Sequence, residues 1–67
     1  MQESERLAAF EAMLASVQSR YEDTVLRMQD MKMQGREKSA TYRQLMGQKL
    51  QLGQVIGLYR LYGLLDE

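Results

Sequence analysis

The 67-residue chain predicts an all-α fold, an antiparallel hairpin of two long helices that self-associates into a four-helix bundle or a larger helical oligomer. Three observations carry this expectation. Apolar residues recur at helical spacing through two long stretches, one short polar segment separates them, and the chain has neither proline nor cysteine. Self-association follows from size. A chain this short buries little apolar surface alone, and without cysteine or histidine it lacks the disulfide and the usual zinc or haem ligands that staple small domains.

Helix 1 is expected over about residues 5–34. Its seam reads Leu7, Phe10, Leu14, Val17, Tyr21, Met28 and Met31, with Thr24 in the one slot not apolar, a strict alternation of threes and fours. Ser4 is the expected N-cap, with Glu5 in the first turn, and Gly35 marks the end. The turn, about residues 35–40, lies within the polar segment "QGREKSAT". Thr41 with Gln44 fits a capping box, and Ser39 offers a start half a turn earlier. A short polar connection between amphipathic helices implies an antiparallel pair.

Helix 2 is expected over about 41–62, followed by a short tail over 63–67, and it carries two apolar rows. One row reads Tyr42, Leu45, Lys49, Leu52, Ile56, Tyr59 and Gly63; the other, on nearly the opposite side, reads Gly47, Leu50, Gln54, Leu58, Leu61 and Leu65. Helix 1 can cover only one of them. The expected core therefore comprises Leu7, Phe10, Leu14, Val17, Tyr21, Met28, Leu45, Leu52, Ile56 and Tyr59. The second row awaits another subunit or an outside helical partner.

Interior glycines sharpen that expectation, since each costs a helix about 0.8–1 kcal/mol relative to alanine. Gly53 and Gly57, four apart, would form a flat notch that lets another helix backbone come close. The expected oligomer interface is Leu50, Gly53, Gly57, Leu58, Leu61 and Leu64, made with a second copy in a dimer or with further copies in a tetramer. The alternative is that Gly53 or Gly57 kinks or ends the helix. Gly63 is the expected C-terminal cap, with Asp66 and Glu67 solvated.

The chemistry-bearing residues point away from catalysis. Histidine and cysteine are missing, no serine stands beside a candidate base, and Glu22 and Asp23 diverge by about 100° on a helix. No phosphate loop or dinucleotide fingerprint is present. The expectation is a protein with no catalytic residues, metal or cofactor, a small interaction or assembly module.

Charge sums to zero but is segregated. Residues 1–26 hold five acidic and two basic side chains, 27–49 two acidic and six basic, and 50–67 two acidic and one basic. A hairpin would therefore have an acidic pole at its termini and a basic pole at its turn. Arg36, Lys38, Tyr42 and Arg43 are candidate contacts for phosphates or an acidic protein there, although basic residues near the end of helix 1 also complement the helix dipole. The stretch "GREKSATYRQL" resembles the turn and recognition helix of the DNA-binding helix-turn-helix motifs, without their short preceding helix or the apolar residue after the glycine. Nucleic-acid binding through the turn is thus the alternative function.

Among the methionines, Met28, Met31 and Met46 are expected in the core, while Met33 and Leu26 lie off the seam as candidates for contact with another chain. Acidic residues at the start of the chain and Gln51, Gln54 and Arg60 in its apolar end argue against export and a membrane span. The expected location is cytoplasmic, with no membrane partner.

Overall fold

The computed structural model describes residues 2–63 and consists of two helices, α1 (Glu3–Met33) and α2 (Ala40–Leu61), packed against each other. They run antiparallel along most of the length of α2. Phe10 meets Tyr59, and a side chain at Gly53 would touch Tyr21. Side-by-side packing differs from the steeply crossed helices of a helix-turn-helix.

Backbone chemistry sets the helix ends. α1 begins after Gln2, whose carbonyl accepts from the Arg6 N–H with no side-chain cap, so Ser4 is not the N-cap but lies within the first turn. At the other end Gly35 adopts φ 74°, its N–H bonds to the Lys32 carbonyl and the Arg36 N–H bonds to the Met31 carbonyl. These two bonds form a Schellman motif, which needs the left-handed conformation that glycine adopts without steric cost. α2 starts from Ser39, whose Oγ accepts from the Tyr42 N–H at 3.1 Å and donates to the Arg36 carbonyl at 2.9 Å. The expected Thr41 cap is displaced by this bond. Gly63, at φ 72°, donates to the Arg60 carbonyl and closes α2 as expected.

The core is a thin seam in which, among the described residues, Met28, Leu45, Ile56 and Tyr59 are the buried apolar side chains, and Leu14, Val17, Tyr21, Met31 and Leu52 are half-buried. Thr24 is buried at its centre, and its hydroxyl donates to the Arg20 carbonyl at 2.8 Å. The polar group is therefore satisfied within its own helix turn.

Leu7 and Phe10 depart from the expected core, with 59% and 36% of their surface exposed. The cause is length: α1 has 31 residues and α2 has 22, and Phe10 already lies level with Tyr59 near the end of α2. The turns of α1 before Phe10 extend past the end of their partner helix. Phe10 keeps an edge-on contact with the Tyr59 ring, at 5.6 Å between centroids. Met46, also expected inside, is 44% exposed because it falls on the flank of α2.

Candidate interaction surface

The row of α2 that faces α1 is Tyr42, Leu45, Lys49, Leu52, Ile56 and Tyr59, all buried or half-buried. The opposite row is left open. Leu50, Leu58 and Leu61 expose 63%, 55% and 75% of their surface, and Gly47, Gln54 and Gly57 stand exposed among them. α2 remains helical across Gly47, Gly53 and Gly57, so none of these glycines ends it.

The two glycines of the expected notch have different surroundings. Gly53 is half-buried, and a Cβ there would lie 3.6 Å from Tyr21 Cε1, so this position packs within the hairpin. Gly57 is exposed, and a Cβ there would meet nothing within 4 Å. One turn of helix brings them about 40° apart around the axis. Gly53 therefore sits at the rim of the intrachain seam, and Gly57 with Leu50 and Leu61 forms the outer flank. Leu64 lies outside the described residues, as do Leu65, Asp66 and Glu67.

Two grooves run along the junction of the helices. The one beside the notch, about 330 Å³, is lined by Gln18, Tyr21, Glu22, Gly53, Ile56 and Arg60. The other, about 540 Å³, opens on the opposite flank between Arg20, Asp23 and Arg27 of α1 and Gln48, Gln51 and Val55 of α2. Sequence reading missed this second groove. Its signal was present in the heptad pair Arg20 and Arg27, opposite a glutamine-rich edge of α2.

At the turn, Arg36, Lys38 and Arg43 are exposed, and Tyr42 is half-buried with its N–H held by the Ser39 cap. Arg27, Asp30, Met31, Gln34, Arg36, Ser39 and Thr41 surround a shallow recess of about 340 Å³. The Arg36 backbone is committed at both its N–H and its carbonyl, to Met31 and to Ser39. The turn therefore offers cationic side chains on a fixed backbone. Leu26 and Met33, on the side of α1 away from α2, are also exposed, at 61% and 87%.

Among the described residues, no group of three or more Asp, Glu, His or Cys side chains could hold a metal ion, and no helix is long and apolar enough to cross a membrane. Compared with protein-family models, curated proteins and solved structures, the chain matches none.

Proposed function

We propose that the chain is a small non-enzymatic assembly module that works as a homo-oligomeric helical bundle, two hairpins joining through the outer row of α2 to make four helices. The observation that carries this reading is the amount of surface the single hairpin leaves open. It exposes 5636 Å², whereas a compact chain of its 7.8 kDa mass exposes about 4,400 Å². The excess of about 1,200 Å² exceeds the ~800 Å² that each partner of a stable complex typically buries. Shape agrees, because the radius of gyration is 14.9 Å where a compact chain of this length has about 11 Å.

A second copy is the occupant that this surface favours. Leu50, Leu58 and Leu61 form a row with the three-and-four spacing that knobs-into-holes packing uses, and the same row on a second chain fits it by two-fold symmetry. The formal net charge of zero leaves no overall repulsion between copies.

Light scattering during size exclusion, over a wide dilution range, tests the proposal with wild type and Leu58→Glu. The expected result is a dimer mass for wild type and a monomer mass for the variant, whose exposed site leaves the intrachain seam intact. A wild-type monomer at every concentration would overturn the reading.

A further inference from the structure

The strongest feature the assembly reading does not use is the separation of charge along the hairpin axis. Residues 27–49, which surround the turn, hold six basic and two acidic side chains; among the described residues at the opposite end stand Glu3, Glu5 and Glu11, with Arg6 and Arg60. The longest dimension of the molecule is 49 Å, far beyond the Debye length of roughly 8 Å at physiological salt. The poles therefore cannot neutralise one another within one chain. A second chain can bring opposite poles together.

We propose that two copies pair antiparallel, with the basic turn of each hairpin beside the acidic end of the other. The inference rests on the homo-oligomer reading and fixes the orientation of its partner. Parallel pairing would place turn on turn and concentrate like charge, whereas antiparallel pairing about the middle of the α2 row sets charges of opposite sign side by side at both ends.

Particular residues lie on the right flank for this. Arg43 is exposed on α2, seven residues before Leu50, hence in the same heptad row as that leucine and as Gly57. Glu11 is exposed on α1, seven residues before Gln18, which lines the groove beside Gly53. Both charges therefore flank the open face. They stand near opposite ends of the hairpin, since Phe10 lies level with Tyr59 and Arg43 is in the first turn of α2. With a two-fold axis midway between Leu50 and Gly57, Arg43 of one copy falls just past the end of the other copy's α2, level with the stretch of that copy's α1 between Glu5 and Glu11. The same arrangement sets the turn alongside the first turns of α1, where Leu7 extends beyond its own partner helix.

The native chain has no cysteine, so one substitution places one label. Nitroxide labels on Ala40→Cys, exposed at the start of α2, should lie about 40 Å apart in an antiparallel dimer at 1.5 Å rise per residue. A parallel dimer brings them within about 20 Å, given interaxial spacings of 8–10 Å and the label arms. In parallel, Glu11→Arg and Arg43→Glu should each weaken dimerisation about tenfold, and the double variant should recover wild-type affinity. In a parallel dimer each single variant only exchanges one like pair for another.

A dimer mass with a distance of about 40 Å and rescue by the double variant is the expected result. A dimer mass with a short distance overturns the orientation and leaves the assembly reading standing. Rescue failing in a folded dimer likewise overturns the charge-directed pairing. A monomer at all concentrations overturns both proposals, and the mass measurement distinguishes it from the other outcomes.

Discussion

Gly57→Leu separates the stability of the hairpin from the stability of the assembly, because the two should move in opposite directions. Within one chain the new side chain starts from a Cβ with nothing inside 4 Å, so it meets no obstacle. Replacing an interior helical glycine removes a cost of about 0.8–1 kcal/mol, of which leucine recovers nearly all. For a chain of this size that raises the melting temperature of the isolated hairpin by about 3–8 °C. Between chains the same leucine occupies the flank where two α2 backbones would approach, so association should fall. Circular dichroism melts over a series of concentrations read both effects. Wild type should melt higher as concentration rises, by mass action. Gly57→Leu should melt at one temperature throughout, above wild type in the dilute limit and monomeric by light scattering. An undiminished dimer in Gly57→Leu would refute the assignment of Gly57 to the contact, and a dilute melt below wild type would show that its site is packed within the hairpin.

The remaining predictions concern the seam and its ends. Ser39→Ala should cost about 1 kcal/mol in urea unfolding, since it removes the acceptor of the Tyr42 N–H, whereas Thr41→Ala should change little. Gly53→Ala should stabilise by roughly 1 kcal/mol, because its methyl group makes ordinary contact with Tyr21 at 3.6 Å; Gly53→Leu should lose that gain by displacing the ring, an overpacking cost of about 1–3 kcal/mol. Leu45→Ala should cost about 2–5 kcal/mol at the most buried apolar position, and Leu7→Ala well under half of that in the dilute monomer.

The fold was legible wherever the sequence carried a local rule. The three-and-four alternation from Leu7 to Met31 marked α1, Gly35 marked its end, and the row from Tyr42 to Tyr59 marked the face of α2 that meets α1. What escaped was set by competition or by length. Ser39 and Thr41 are both good caps, and the choice fell to Ser39 because its hydroxyl can accept from Tyr42 while also donating to Arg36 across the turn. Leu7 satisfies the seam pattern perfectly, yet periodicity does not reveal that α2 stops before reaching it. The Gly53–Gly57 pair read as one notch because four residues make one turn; the 40° between them is enough to put Tyr21 beside one and open space beside the other.

The residue types in the two rows of α2 carry a further argument about which row needs the larger cover. The row facing α1 contains Tyr42, Lys49 and Tyr59, side chains with an apolar stem and a polar tip. A seam between only two helices is open along both flanks, so such residues can bury their stems and extend their tips sideways into water. Lys49 is half-buried on these terms without a buried charge. The outer row has apolar residues that are leucines, Leu50, Leu58 and Leu61, with no polar tip to place in water. Leucine gains most where it is enclosed on all sides, which two helices cannot provide and four can. Tyrosine and lysine thus suit the thin intrachain seam, and the leucines suit the centre of a bundle that a second hairpin would complete.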